Sequence, residues 1–176
     1  LLFMGNEIAP FKKWSFEREI EWHLLDYESH EKFQRYVAEL NNFYLLHTSL
    51  WQKDATDESI YFTDKASFKQ NIAIFRRSSK SEDLVIVVDL TPEAYESFRI
   101  GAHGDGSFRE VFNSDDPRFY GSGVVNQDVI FTEETPYHGY RHSFTMRVPP
   151  MAIAILEFKQ KKKKQILAYM LRCFLF

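Results

Sequence analysis

The sequence predicts a mainly β protein: an antiparallel β-sandwich preceded by the end of a buried strand, a long loop and one helix. Three observations support this prediction. A solid apolar run opens the chain at Leu1–Met4, apolar residues with helical spacing follow over 30–45, and from about Thr56 short apolar runs alternate with turn residues. Several short strands without helices between them are typical of a sandwich.

The opening run, Leu1–Met4, ends in Gly5-Asn6-Glu7 and has the pattern of a strand that is buried on both faces. Such strands belong to parallel sheets covered by helices, so we expect this chain to be part of a longer protein. Residues 8–28 show no clean period and contain Pro10. We expect a long structured loop there, and loops of this size are usually functional.

The helix that follows is predicted from a single apolar stripe. Ser29 is the predicted N-cap, with Glu31 in the first turn. The stripe recurs every three or four residues and requires an apolar surface to pack against. Its members are Phe33, Tyr36, Val37, Leu40, Phe43 and Tyr44.

Eight strands are predicted beyond the helix, separated by turns rich in Gly, Pro, Asn, Asp and Ser. Leu84–Val88 is apolar at every position, as a central strand would be, whereas Phe144, Met146 and Val148 alternate with polar residues. The strands are Ser59–Thr63, Asn71–Arg77, Leu84–Leu90, Ser97–Ile100, Ser107–Phe112, Asp128–Thr132, Ser143–Val148 and Met151–Phe158.

Composition and charge exclude several classes of protein. The 176 residues include 44% hydrophobic residues, 16% aromatic residues and one cysteine, Cys173, so a disulfide scaffold is excluded. A reducing compartment is favoured, and we expect a cytoplasmic protein. Residues 1–158 carry 16 basic and 25 acidic side chains, an unfavourable balance for nucleic acid. We expect no membrane partner, because no apolar run approaches the ~18–20 residues that span a bilayer.

The last segment, 159–176, breaks the strand pattern, because five lysines precede an apolar run of eleven residues. A solvated tail is the main interpretation. Binding to a membrane surface is the alternative, weakened by the shortness of the apolar part.

The titratable residues show no clear catalytic or metal site. Glycosidases require two carboxylates about 5–10 Å apart, and four acids crowd the loop, but nothing marks one of them as buried. His138 and His142 are four residues apart, yet Pro136 and Gly139 argue against a helical metal pair. We expect no metal and no cofactor. The four acids are Glu17, Glu19, Glu21 and Asp26.

The three tryptophans, Trp14, Trp22 and Trp51, lie outside the predicted regular elements. A tryptophan in a structured loop most often anchors the loop by packing. Its large apolar face with a polar edge can also stack on a sugar ring. Both interpretations remain open from composition and spacing.

A family resemblance goes further than these patterns. The segments Leu1 to Glu7, Trp14, and Glu21-Trp22-His23-Leu24-Leu25-Asp26 resemble the last barrel segment of bacterial glycogen (1,4-alpha-glucan) branching enzymes in the alpha-amylase clan. Phe33 to Tyr44 is similar to the final barrel helix of that family. The sandwich agrees in order: Phe75-Arg76-Arg77, Arg99-Ile100-Gly101, Arg109 to Asp115, Tyr120-Gly121-Ser122, His138-Gly139 and Val148 to Ala152.

The resemblance implies a transferase that moves an α-1,4-glucan segment to a 6-hydroxyl and so forms an α-1,6 branch through a covalent intermediate. It also implies that the nucleophilic Asp, the acid/base Glu and a third Asp precede Leu1, so no catalytic residue is predicted here. Glu7 would follow the last barrel strand, at the catalytic face. Trp14, Trp22 and Glu7 are the predicted glucan-binding residues.

The predicted organisation has three parts. Residues 1–55 would be the terminal segment of a (β/α)8 barrel, 56–158 an alpha-amylase-type C-terminal β-sandwich, and 159–176 a basic and apolar tail. The expected partners are an α-glucan and the upstream barrel of the parent chain. The alternative is a non-catalytic β-sandwich that binds carbohydrate or serves as a scaffold. A free-standing module, however, has no reason to carry a barrel strand and helix.

Overall fold

The computed structural model describes residues 3–56, 58, 60–64 and 67–161. Part of the predicted opening strand lies outside this range, at Leu1 and Leu2. The remaining two residues form no strand, since Phe3 is in coil and Met4 begins a turn. Most of the predicted tail, 162–176, also lies outside the described residues.

The predicted helix is present as α1, Glu28–Leu46. The predicted N-cap, Ser29, is wrong, because Ser29 lies inside the first turn of α1. Tyr27 occupies the cap position, and its carbonyl accepts the backbone N–H groups of His30 and Glu31 at 3.0 and 3.1 Å. A 3-10 turn, Trp22–Asp26, directly precedes the cap and brings the chain into the helix.

All eight predicted strands are confirmed in order, with ends that differ by at most two residues. Strand β8 includes Lys159 and Gln160, the first two residues of the predicted tail. The strands are β1 Tyr61–Asp64, β2 Ile72–Ser78, β3 Asp83–Asp89, β4 Tyr95–Ala102, β5 Gly106–Asn113, β6 Ile130–Phe131, β7 His142–Val148 and β8 Ile153–Gln160.

The strands form two antiparallel sheets. The larger sheet has the order β1-β2-β3-β8-β5-β6, and the smaller one pairs β4 with β7. Strand β8, the last strand in the described ranges, lies in the middle of the larger sheet between β3 and β5. The larger sheet therefore forms fully only when β8 pairs with β3 and β5, which lie far before it in the sequence.

Two apolar clusters lie on opposite faces of the larger sheet. One fills the space between the sheets and includes Ile74, Val87, Phe108, Phe144 and Leu156. The other packs α1 on the outer face and joins Phe43 to residues of the larger sheet and of the loop after β5, with Tyr36 and Leu40 against it. Because α1 covers the outer face, β3 is buried on both sides, which accounts for its unbroken apolar run.

A polar cluster holds the carboxyl end of α1 on the β2–β3 hairpin. Glu82 lies 2.5 Å from His47 Nδ1 and accepts the Ser49 hydroxyl at 2.7 Å. Arg77 donates to the carbonyls of Ser49 and Leu50 at 3.2 and 2.7 Å. Helix and sandwich are thus joined by apolar packing at the centre and by charged hydrogen bonds at the rim.

None of the helices in the described ranges combines the length and the apolar character that crossing a bilayer requires.

Candidate functional site

The segment before α1 and one face of the helix together form a groove of about 890 Å³. The helix contributes residues other than those that pack on the sandwich. Glu7 lines this groove, as do Phe3 and Met4 from the start of the described chain. The remaining lining residues are Gly5, Ile20, Glu31, Gln34, Arg35, Val37, Ala38 and Asn41.

Trp14 lines a smaller cavity of about 70 Å³ that shares two wall residues, Met4 and Ile20, with the groove. The rings of Trp14 and Phe3 pack nearly perpendicular to each other, with ring centroids 5.1 Å apart and planes at 85°. Two of the three predicted glucan-binding residues, Trp14 and Glu7, therefore lie on adjoining cavities.

Trp22, the third predicted residue, lines neither cavity. It begins the 3-10 turn Trp22–Asp26, and its exposed fraction of 48% is close to the 49% of Trp14. Trp51 is exposed to 42% and follows a separate 3-10 turn, Thr48–Leu50, beyond the end of α1. The three tryptophans are therefore similar in exposure and differ in their position relative to the two cavities, because Trp14 lines one of them and Trp22 and Trp51 line neither.

The turn that carries Glu7 has an unusual backbone. Asn6–Ile8 forms a 3-10 turn between Gly5 and Ala9, which have left-handed φ values of 86° and 51°. A Cβ at Gly5 would lie 2.8 Å from Cγ2 of Ile20, so glycine is required there both for conformation and for space. Ile20 thereby closes the loop against the turn and forms part of the groove wall.

Two ion pairs lie around the two cavities. Lys12 Nζ lies 3.2 Å from Glu21 Oε1, and Arg35 donates to Glu31 at 2.8 Å on the groove side of α1. Desolvation acts to raise the pKa of Glu21, but the hydrogen bonds and charge of Lys12 outweigh it, and the pKa is lowered. Glu21 is therefore an ionised, paired carboxylate and not a proton donor.

The carboxyl group that burial affects most clearly lies elsewhere. Burial raises the pKa of Glu110 on β5, although Asn126 and Asn113 donate to its two oxygens at 2.7 and 3.0 Å. These two amides belong to β5 and to the segment that leads to β6, so Glu110 ties a long connection to the sheet. Its place outside the groove argues for a structural role.

A metal centre is not formed by the described residues, since they contain no group of three or more His, Cys, Asp or Glu side chains that could hold an ion. His138 lies in a turn with a left-handed φ of 50°, and His142 begins β7. The helical pairing that a four-residue spacing can signal does not occur.

His30 lines neither cavity but contacts the turn that carries Glu7, and sequence reasoning missed it. It is buried in the first turn of α1, and its Nδ1 lies 2.7 Å from the carbonyl oxygen of Ile8. Of the helix residues on the groove wall, Val37 belongs to the predicted apolar stripe, whereas Gln34, Ala38 and Asn41, which recur at helical spacing beside it, were missed. The predicted stripe is not a single face, because Tyr36, Leu40 and Phe43 pack on the sandwich, whereas Val37 lines the groove and Tyr44 is exposed.

Comparisons with known proteins extend over most of this chain. Residues 62–159 match the family described as "Alpha amylase, C-terminal all-beta domain". The chain is 32% identical over 166 residues to the 1,4-alpha-glucan branching enzyme GlgB of Oceanobacillus iheyensis, covering 93% of this chain and 26% of that protein. It is 40% identical over 154 residues to GlgB of Halothermothrix orenii, covering 86% and 24%.

Among solved structures, an alpha-amylase from H. orenii is similar to this chain at 16% identity with a TM-score of 0.43, covering 74% of this chain and 20% of that one. The chain spans about a quarter of the length of the curated relatives that it matches.

Proposed function

Because this chain belongs to the alpha-amylase C-terminal all-beta domain family, we propose that it is the carboxy-terminal part of a 1,4-alpha-glucan branching enzyme. The observation that carries the proposal is the extent of similarity to the two branching enzymes. An alignment of 166 residues cannot fit between residue 62 and the chain end at 176, so it includes residues of the amino-terminal segment. A sandwich used by itself as a binding or scaffolding module would not require that segment.

In this proposal residues 1–55 close a barrel, the sandwich runs from 56 to the end of β8 at Gln160, and the rest of the predicted tail follows. The parent enzyme, in the cytoplasm, transfers an α-1,4-glucan segment to a 6-hydroxyl. A retaining reaction of this kind uses two carboxyl groups about 5–5.5 Å apart, one as nucleophile and one as acid/base. Both would belong to the part of the relatives that this chain does not cover, and the isolated chain would not branch glucans.

The proposed contribution of this chain is one wall of the glucan site. Trp14 offers a half-exposed ring whose apolar face suits stacking on a sugar, and Glu7 offers a carboxylate that accepts hydrogen bonds from sugar hydroxyls. Trp22 would contact glucan outside the two cavities. The upstream barrel would cover the groove-side face of α1, where Val37 is half-buried and Ala38 is exposed.

The experiment that tests the proposal has two arms. The purified chain is incubated with amylose and α-1,6 linkages are counted by proton NMR, with no new branch points expected above a protein-free control. Binding of maltoheptaose is then measured for the chain and for Trp14→Ala, with Trp51→Ala as the matched control. Removal of one stacking ring costs about 1–3 kcal/mol by analogy with base stacking on aromatic side chains, so Trp14→Ala should weaken binding by roughly fivefold or more.

Branch formation that a single Asp or Glu substitution within the chain abolishes would refute the assignment of the catalytic carboxylates. Equal loss of binding in Trp14→Ala and Trp51→Ala would remove Trp14 from the site.

A further inference from the structure

We propose that His30 is a positioning residue for the glucan site, because it anchors the backbone turn that presents Glu7 to the groove. The inference about glucan rests on the function proposed above. The anchoring of the turn by His30 does not depend on that function, because it is argued from the contacts of His30 alone.

The anchor is a single buried hydrogen bond between distant parts of the chain. His30 is exposed to only 8%, and its Nδ1 lies 2.7 Å from the carbonyl oxygen of Ile8, which is itself fully buried. A carbonyl oxygen can only accept, so Nδ1 must carry the proton and donate it. The tautomer of His30 is thereby determined by its partner, 22 residues earlier in the sequence.

The turn needs such an anchor because its own bonds are few and its backbone is strained. The 3-10 turn contains the bonds from Ile8 N–H to the Gly5 carbonyl at 3.0 Å and from Ala9 N–H to the Asn6 carbonyl at 3.2 Å. No side chain caps it, and Ala9 has a left-handed φ of 51°. A non-glycine residue in that region persists only where the surroundings hold it.

The His30 ring also fixes the chain just beyond the turn. Phe11 and Tyr27 each pack against it in a T-shaped arrangement, with ring centroids 5.2 and 6.4 Å away. Glu7 therefore lies in a segment held by Ile20 against Gly5 on one side and by His30 against Ile8 and Phe11 on the other. If the His30 bond is lost, the unsatisfied Ile8 carbonyl favours opening of the turn, and Glu7 leaves its place on the groove wall.

The test compares two substitutions that separate hydrogen bonding from packing. His30→Phe keeps an aromatic ring of similar size against Phe11 and Tyr27 but removes the donor. His30→Asn places an amide N–H where Nδ1 lies and so restores the donor without the ring. His23→Phe, at an exposed histidine, is the control. The readouts are amide hydrogen exchange of Ile8 and Ala9, exchange of the β3 amides, and the affinity for maltoheptaose.

We expect His30→Phe to accelerate exchange at Ile8 and Ala9 by roughly tenfold, the factor that an unsatisfied buried carbonyl implies, while the β3 amides keep their protection. Affinity for maltoheptaose should fall by a similar factor, and His30→Asn should restore most of both. The control should behave as the wild-type chain.

Three results would overturn the proposal: unchanged exchange at Ile8 and Ala9 in His30→Phe, equal acceleration throughout the chain, or His30→Asn behaving as His30→Phe. Absence of maltoheptaose binding by the wild-type chain would instead count against the proposed glucan site, and the exchange data would still decide whether His30 positions the turn.

Discussion

Substitution of Phe43 by alanine tests how firmly α1 is joined to the sandwich. The Phe43 ring is exposed to 8%, lies 5.1 Å from Phe112 between ring centroids, and stacks on His47 at 3.8 Å. Burial of ~150 Å² of ring at ~25 cal/mol per Å² is worth about 4 kcal/mol. That value falls within the ~3–5 kcal/mol that Phe→Ala substitutions cost in protein cores. We therefore expect the free energy of unfolding to fall by about 3–5 kcal/mol.

The assay is urea denaturation followed by circular dichroism, with Tyr44→Ala as the control on the same helix. Tyr44 is next in sequence but exposed to 44%, so its removal should cost no more than about 1 kcal/mol. Similar losses for the two variants would refute the reasoning, since they would mean that Phe43 is not held in a shared core. Unfolding of Phe43→Ala in two steps, helix before sandwich, would show that this contact couples the two parts.

Three further predictions concern the pH dependence of Glu82, the pH dependence of Glu110 and the Glu7 turn. Desolvation acts to raise the pKa of Glu82, but the hydrogen bonds from Ser49 and His47 outweigh it, and the pKa is lowered. The stability that Glu82 contributes is therefore present above about pH 4.3 and is lost as the pH falls through the pKa of the folded state. The pKa of Glu110 is raised by burial, so its stabilisation is present below about pH 4.3 and is lost as the pH rises. Urea titrations at several pH values should therefore show that Glu82→Gln lowers the free energy of unfolding most near neutral pH, whereas Glu110→Gln lowers it least there. If the loss of free energy depended on pH in the same way for the two variants, both predictions would be contradicted. Gly5→Ala should cost about 1–2 kcal/mol for the left-handed backbone alone, which is measured as faster amide exchange at Ile8. Unchanged exchange would argue against both this backbone cost and the close approach of Ile20.

The order and type of the helix and of the eight sandwich strands could be predicted from the sequence, whereas the opening strand was wrong at Phe3 and Met4. The alternation of Phe144, Met146 and Val148 with polar residues and the helical spacing of Tyr36, Leu40 and Phe43 report which face of an element is buried, and burial patterns are local properties of the chain. The N-cap prediction at Ser29 failed because a cap depends on backbone angles set by the preceding 3-10 turn and not on residue type alone.

The site depended on tertiary structure. Trp14 and Trp22 are equivalent in sequence as tryptophans of one loop, yet only Trp14 lines a cavity next to the Glu7 groove. Neither the bond of His30 to Ile8 nor that of Glu82 to His47 has a sequence signature, because each joins residues 22 or 35 positions apart that only the packed helix brings together. The unbroken apolar run of β3 indicated burial on both faces, but which elements cover those faces was decided by the placement of α1 and of the β4–β7 sheet. The periodicity of apolar residues specifies which face of an element is buried. Which elements cover that face depends on contacts between residues far apart in the sequence.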